Sequence, residues 1–561
     1  MYSDKENVNI LTALLAAHGI KHAVVCPGSR NAPIVHNLNE CPGISCIPVT
    51  DERSAGFVAL GVAQATGMPV VVCVTSGSAL LNLAPAVAEA CYQHLPLVVV
   101  SADRPAAWID QLDGQTLPQP DALGRFVRKA VNLPEPHDDT DRWHCNRLVN
   151  DALALAVLRQ PCPVHINVPI TEPLFGFSAA RLPAERCFKT ITPDPTTCRC
   201  TTLEKAFDKA ERPMVVIGQM PAGTIGRPLV GQLSRRAVVI TEPLGSDYGA
   251  MPADEVLYAM ADDSRLYPDI IVYAGDTVVS KRMRSFLRRS NAPTFVVSPA
   301  PCLTPDPTTH LVATVDCGCR EGVAAMLGQL ANGCGNSPAR QEYLSRWSSA
   351  LATADANRTD YSPPFSQMAT VKYFEQQLED YASGFNVHYA NSSAIRLANI
   401  YAGHYVWCNR GVNGIEGSLS AAAGFSVASE QTVFCIIGDL SFFYDQNALW
   451  NTSLRGNLRI ILLNNHCGGI FHILRGLEDS PARDSMVSAS HNADARGICT
   501  QNDIGYMRAA DMAEMQLGIV TLMTRQSARP MLLEVFTDAD EDGRAIREYY
   551  SRLKETMNAR P

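Results

Sequence analysis

Asp439 lies in Gly438-Asp439-Leu440-Ser441, and twenty-six positions later comes Asn465, the second residue of Asn464-Asn465. A carboxylate and a side-chain amide are hard oxygen donors, suited to a small octahedral cation that grips phosphate oxygens rather than sitting in an all-protein cage. The spacing therefore describes a site for a magnesium-bound diphosphate, carried on the turn Gly438 to Ser441. An acidic turn followed by a polar turn is the ordinary alternative, and the flanking residues weigh against it. Residues 433–437 (VFCII) and 459–463 (RIILL) are short apolar runs of the kind found in buried parallel strands, and residues 444–454 read as the crossover helix between them. Asp439 and Asn465 then fall at the carboxyl ends of two strands, where open α/β sheets place their ligands.

A second carboxylate, Glu52, occurs in Val49-Thr50-Asp51-Glu52-Arg53-Ser54-Ala55-Gly56, where a strand closes and a helix of small residues opens. Taken alone, it reads as a first-turn acid favoured by the helix dipole; in a cleft it would be a carboxylate aimed at a ligand. Thr75-Ser76-Gly77-Ser78 follows the next strand in the same way, so its backbone and hydroxyl groups are placed to line the same cavity. Basic residues recur at comparable points: Arg30 in Pro27-Gly28-Ser29-Arg30-Asn31, Arg104 after Asp103, Lys281-Arg282, Arg396 near Ser392, and Arg410 after Asn409. Each alone is an ordinary solvated charge or local cap. Several at strand ends in a chain of net charge −9 point to recognition of carboxylates, which the planar fork of arginine fits.

These groups need a large scaffold to position them. A length of 561 residues exceeds one core and suggests about three to four domains. Residues 1–182 alternate strand-like runs (HAVVC, PVVVCV, LPLVVVSA, PVHINV) with helical stretches at 55–67 and 79–94, which means a parallel sheet. Residues 183–201 read as a linker, and 202–332 as a smaller doubly wound domain with its own strands (PMVVIG, AVVIT, IIVYAG, TFVVS). A polar stretch, partly helical over 341–354, leads to a third block at 366–561. The fold class expected is α/β with three doubly wound parallel-sheet domains. The acidic balance argues against nucleic acid as a partner. No run is long enough to cross a bilayer, and no secretory signal opens the chain. The eighteen cysteines are therefore expected to be reduced thiols in a cytoplasmic protein. Cys198-Arg-Cys200 and Cys317-Gly-Cys319 are the close pairs, and neither has the C-x-x-C spacing common in zinc sites.

With Glu52 in DERSAGFVALG, the stretch TSGSALLNLAPAVAEA and the pair GDLS…NN, the chain resembles the thiamine-diphosphate-dependent decarboxylase and carboligase superfamily across nearly its whole length. The resemblance implies pyrimidine-binding (1–182), middle (202–332) and diphosphate-binding (366–561) domains. It implies Mg2+ held by Asp439, Asn465 and the carbonyl of Cys467, with Mn2+ tolerated. Glu52 would contact the pyrimidine ring and favour the tautomer whose exocyclic nitrogen takes the thiazolium proton. Ile415 would hold the cofactor bent, with Ser76, Gly77, Gly438, Leu440, Ser441 and Ile470 beside it. Active sites shared between subunits make a homodimer the minimum, with a dimer of dimers left open. CPGSRN, SADRP, ANSSAIR, CNRGVNGIEG and GDLSFFYDQNALW are similar to a branch that serves menaquinone biosynthesis. That branch decarboxylates 2-oxoglutarate and adds the product unit to isochorismate. By this resemblance, Ser29, Arg30, Arg104, Gln115, Lys281, Arg282, Ser392, Arg396 and Arg410 contact substrate, and Phe471 and Leu474 join Ile470 in an apolar wall. The loop His466-Cys467-Gly468-Gly469 departs from the amide- and glycine-rich form expected there. A simple 2-oxo acid decarboxylase or an acetolactate synthase-like carboligase is the enzymatic alternative, and a silent nucleotide- or flavin-binding protein the non-enzymatic one. The middle block has no clear G-x-G-x-x-G fingerprint to favour the latter.

Overall fold

The computed structural model describes every residue except 189, 191–197, 301–304, 382–383, 474–475, 478 and 560–561. Three wholly parallel sheets organise it. The first holds β1 (His22–Val25), β2 (Ser45–Pro48), β3 (Val70–Val74), β4 (Leu97–Asp103), β5 (Lys129–Asn132) and β6 (Val164–Pro169) in the order β2-β1-β3-β4-β6-β5. The second holds β7 (Pro213–Ile217), β8 (Val238–Thr241), β9 (Ile270–Ala274), β10 (Thr294–Ser298) and β11 (Leu311–Asp316) in the order β11-β10-β9-β7-β8. The third holds β12 (Phe385–Tyr389), β13 (Thr432–Gly438), β14 (Leu458–Asn464), β15 (Gly505–Ala509) and β16 (Met531–Phe536) in the order β12-β13-β14-β16-β15. Central strands are buried on both faces, as β3, β4 and β14 are along their whole length, because helices cover both sides of a parallel sheet. Among the described residues, no helix is long and apolar enough to cross a membrane.

Two helices differ from expectation, the first for a local reason and the second for a tertiary one. The stretch 79–94 divides into Ser78–Asn82 and Ala84–Tyr92, because Pro85 has no amide hydrogen for the preceding turn and is tolerated only at a helix start. The crossover helix expected over 444–454 lies earlier, at Asp439–Tyr444, followed by a 3-10 turn at Gln446–Leu449. Asp445 ends it. Its buried carboxylate turns away to accept from Ser420 N and Ser420 Oγ, each at 2.7 Å.

Burial pushes the Asp445 carboxyl up to about 6. An acid with a folded-state pKa above its unfolded value favours the fold below the unfolded value, and that contribution is lost as pH rises through the folded one. The window is pH 3.8 to about 6. Asp445→Asn should therefore remove a pH-dependent loss of up to about 3 kcal/mol. The stability difference between parent and variant, from denaturant titrations at pH 4 and pH 7, should shift in the variant's favour at pH 7. An equal difference at both would refute it.

The first and third sheets are joined by the helices Glu52–Thr66 and Ser418–Val427, which cross with their backbones in contact. Glycine permits it on both sides. A Cβ on Gly61 would overlap the carbonyl oxygen of Ala421, and one on Gly424 the carbonyl oxygen of Val58. In an open helix, Gly→Ala gains about 1 kcal/mol. At Gly424 the obstacle is rigid backbone, so Gly424→Ala should instead cost about 1 to 3 kcal/mol and lower the thermal midpoint. A raised midpoint would show that the crossing is loose.

Candidate active site

The third sheet aligns three loops. β12 pairs with β13 and β13 with β14, so the segments beginning at Ala390, Asp439 and Asn465 leave the same end of adjacent strands. Asp439, only 3% exposed, opens its helix and accepts from its own neighbour Leu440 N at 2.7 Å and from Cys467 N at 3.1 Å across the strand gap. The ring of His491 approaches its Oδ2 at 3.4 Å. Asn465 is oriented by Asp542, which no motif marks: its Nδ2 donates to Asp542 Oδ2 at 3.0 Å, which fixes the amide so that Oδ1 faces the other way. Asp542 is itself held by Gln367 N and Thr537 Oγ1, both at 2.8 Å, and burial pushes its carboxyl up to about 6.

Among the described residues, no three or more His, Cys, Asp or Glu side chains are grouped so that they could hold a metal ion by themselves. A cation at this end of the sheet would rely on Asp439, the Asn465 amide and backbone oxygen. That donor chemistry fits Mg2+ and a diphosphate. Gly438 and Leu440 are part-exposed, Ser441 is buried, and Ile470 and Phe471 are part-buried in the turn Gly469–Ile473. Leu474 lies outside the described residues.

In the first sheet, Asp51 caps the helix Glu52–Thr66 by accepting from Ser54 N at 3.1 Å. The same carboxylate accepts from Asn447 Nδ2 at 2.7 Å, and Arg53 donates to the carbonyl of Tyr444 at 2.7 Å while stacking on its ring. These contacts tie the helix start bearing Glu52 to the segment after Asp439. Glu52 itself is half-buried. Ser76, Gly77 and Gln115 come together: Ser76 Oγ donates to Gln115 O at 3.0 Å and Gln115 Nε2 to Ser76 O at 3.2 Å. Gly77 has φ +80° and packs on Gln115, a backbone conformation that favours glycine.

The basic residues divide. Arg30 is buried and committed to Ile170 O at 2.9 Å and Glu172 Oε1 at 3.0 Å, while Ser29 is exposed beside it. Arg104 lies 3.5 Å from Asp113. Arg282 pairs with Asp254 and stacks on Tyr258 and Tyr550, whereas Lys281 is exposed at the start of the helix Lys281–Arg289. Ser392 precedes the helix Ser393–Tyr401, which carries Arg396. Neither Arg396 nor Arg410 forms an ion pair among the described residues. Arg410 reaches only the Asn391 amide oxygen at 3.3 Å, and its Nε is buried without a partner. Burial, then the charges of Arg410 and Arg284, lower the pKa of Arg396. Such like-charge crowding is relieved by a bound anion. Arg284 was not singled out in the sequence, where it is one of five basic residues on one short helix.

Glu89 was also missed, although a charge within an apolar helical run was a signal. Buried, it accepts from Gly411 N and Val412 N, both at 2.6 Å, and so anchors the loop carrying Arg410 and Ile415 to the first sheet. Ile415 is 40% exposed at the loop tip. A core isoleucine would not be.

Two family models match the chain: the N-terminal TPP binding domain of thiamine pyrophosphate enzymes over residues 6–123, and their C-terminal TPP binding domain over residues 390–535. The chain is also similar along its length to proteins named 2-succinyl-5-enolpyruvyl-6-hydroxy-3-cyclohexene-1-carboxylate synthase. It is 41% identical to that of Bacteroides fragilis, covering 99% of this chain and 100% of the relative. It is 40% identical to that of Bacteroides thetaiotaomicron over the same shares. With that of Desulfotalea psychrophila it shares 34% identity over 95% of this chain and 98% of the relative.

Proposed function

Since the chain belongs to the family of 2-succinyl-5-enolpyruvyl-6-hydroxy-3-cyclohexene-1-carboxylate synthases among the thiamine pyrophosphate enzymes, we propose that it decarboxylates 2-oxoglutarate and adds the succinyl semialdehyde unit to isochorismate. It is thus a transferase of aldehyde or ketone residues, releasing CO2 in menaquinone biosynthesis. The observation that carries this reading is that Arg396 and Arg410, which form no ion pair among the described residues, sit on a sheet end whose next loops present the oxygen donors of Asp439 and Asn465. Substrates with several carboxylates and a metal-bound diphosphate are the anions such a rim suits.

We assign Mg2+ to the side chains of Asp439 and Asn465 and the carbonyl of Cys467, with Mn2+ accepted by the same oxygen set. That last ligand is a backbone oxygen, and the buried Cys467 thiol lies 3.8 Å from Asn465 Oδ1 and 3.7 Å from His472 Nε2. Gly438, Leu440, Ser441 and Ile470 line the diphosphate side, Ser76 and Gly77 the pyrimidine side, and Ile415 is the wedge. Bound thiamine pyrophosphate supplies the electron sink that decarboxylation of a 2-oxo acid needs. Glu52 holds a proton at the pyrimidine ring nitrogen, which controls the proton on the exocyclic amine. Ser29, Arg30, Arg104, Gln115, Lys281, Arg282, Ser392, Arg396 and Arg410 orient the substrates, against Phe471 and Leu474. Residues 1–182 form the pyrimidine-binding domain, 202–332 the middle domain and 366–561 the diphosphate-binding domain. A cytoplasmic homodimer is the working form; the exposed Trp108 and Leu112 are apolar side chains that a partner would cover.

Mass spectrometry of the product from 2-oxoglutarate plus isochorismate, with thiamine pyrophosphate and Mg2+ supplied, tests donor, acceptor and cofactor together. Release of CO2 with isochorismate unchanged would identify a plain decarboxylase instead.

Arg396→Ala and Arg410→Ala should each weaken carboxylate recognition while leaving cofactor binding intact. A lost charge-assisted hydrogen bond costs about 1.5 to 3 kcal/mol, or roughly ten- to more than a hundredfold in affinity. Single-turnover decarboxylation reads the 2-oxoglutarate contact, and the carboligation step adds isochorismate. Parent rates and affinities in both steps would make these arginines surface charges.

A further inference from the structure

Away from the strand ends, where the first and middle sheets meet, two thiols face each other. Cys91 is in the last turn of the helix Ala84–Tyr92, and Cys162 lies two residues before β6. Their Sγ atoms are 3.9 Å apart, and both residues are half-buried. Cys162 is held by its backbone, which donates to Ala156 O at 3.0 Å. Arg128 is fixed beside the pair. Its guanidinium donates to the carbonyls of Leu155, Leu158 and Gln160 at 2.8, 3.0 and 2.6 Å, at the C-terminal end of the helix Asp139–Val157. His94, three residues after Cys91, reaches Asp276 of the middle sheet at 3.2 Å. Gln93, His94 and Pro161, which flank the two cysteines, line an open cavity of about 360 Å3. Neither sulfur lies in the wall of that cavity, but both cysteines keep part of their surface open to solvent.

We propose that Cys91 and Cys162 form a peroxide-reactive dithiol site, with Cys91 as the attacking thiolate and Cys162 as the resolving thiol. Arg128 favours a thiolate at either sulfur, and Arg125 adds to it at Cys91. The hydrogen shared between the two sulfurs, then the charges of Arg128 and Arg125, lower the pKa of Cys91, whereas the same shared hydrogen, then burial, raises that of Cys162. Thiolate character with access is what makes a cysteine oxidisable. In the first step, the Cys91 thiolate attacks one oxygen of a peroxide: the S–O bond forms, the O–O bond breaks, and hydroxide leaves, taking a proton to become water. In the second, Cys162, losing its proton, attacks the sulfur of the Cys91 sulfenic acid: the S–S bond forms, the S–O bond breaks, and a second water leaves. Two thiols are oxidised to one disulfide while hydrogen peroxide is reduced to two waters. The sulfurs must close from 3.9 Å to about 2.05 Å, a shift for the helix end and the turn to share.

The test uses the purified full-length protein, hydrogen peroxide as the probe, and non-reducing peptide mass spectrometry after alkylation. The expected product is a Cys91–Cys162 linked peptide that forms ahead of oxidation at the exposed Cys334 and is reversed by dithiothreitol. Cys91→Ser should slow the loss of alkylatable Cys162 by about tenfold or more. Cys162→Ser should leave a sulfenic acid on Cys91 that a 1,3-diketone traps. The proposal fails if Cys334 oxidises first while both thiols remain alkylatable, or if Cys162 reacts at the parent rate in Cys91→Ser. The unmutated protein alone decides the first point, whatever the variants do.

Discussion

Asp439→Ala should abolish the metal-dependent binding of thiamine pyrophosphate, weakening it by more than about a hundredfold. Two losses coincide in this one substitution. The proposed cation loses its only charged side-chain ligand, so the diphosphate's own negative charge is left uncompensated. The Cys467 amide, which donates to Asp439 Oδ2 at 3.1 Å, also loses the acceptor that holds the second loop against the first. Titration calorimetry with the cofactor, with and without saturating Mg2+, distinguishes the two: the parent should gain affinity from the metal and the variant should not. Asp439→Asn separates charge from geometry, because it keeps an oxygen and the acceptor for Cys467. Affinity unchanged in Asp439→Ala at saturating Mg2+ would mean that the Gly438–Ser441 turn does not hold the cation.

Glu52→Gln should keep the fold and slow cofactor activation by about a hundredfold or more, the range for loss of an acid-base group. The amide is isosteric and the helix start does not depend on it. The cap there is Asp51, which binds Ser54 N and Asn447, so circular dichroism and the thermal midpoint should match the parent. What the amide cannot do is release and recover a proton. Exchange of the thiazolium proton, followed by NMR in the presence of Mg2+, reads that function directly. Exchange at the parent rate would remove Glu52 from the chemistry, whatever happens to turnover.

The strand ends bearing Asp439 and Asn465 could be read from sequence because central parallel strands are continuous apolar runs, and a polar residue that stops such a run marks its end. Two edge strands gave no such signal, although the buried edge strand β8 did. β5 and β11, each at a sheet border, are half-exposed with mixed composition, and neither stood out in the sequence. The helix after Asp439 was misplaced because its stop is a tertiary contact, Asp445 with Ser420, and not a local breaker. Asp542 is invisible for a similar reason, orienting Asn465 from 77 positions away. The arginines show the limit of motif reading. Arg30, Arg282, Arg396 and Arg410 look alike in sequence, but the first two have carboxylate partners in Glu172 and Asp254, and the last two pair with no carboxylate among the described residues.

The glycine-mediated crossing of Glu52–Thr66 on Ser418–Val427 also bears on how the chain is made. Gly61 and Gly424 are 363 positions apart, with the whole second sheet between them. At about 5 to 20 residues per second, the ribosome releases the later helix about 20 to 70 s after the earlier one. For that interval the tight, side-chain-poor face around Phe57, Val58 and Gly61 has no mate from its own chain. A nascent first sheet is therefore a natural client for a holding chaperone, and two neighbouring nascent chains on one message could satisfy each other's unmatched helices.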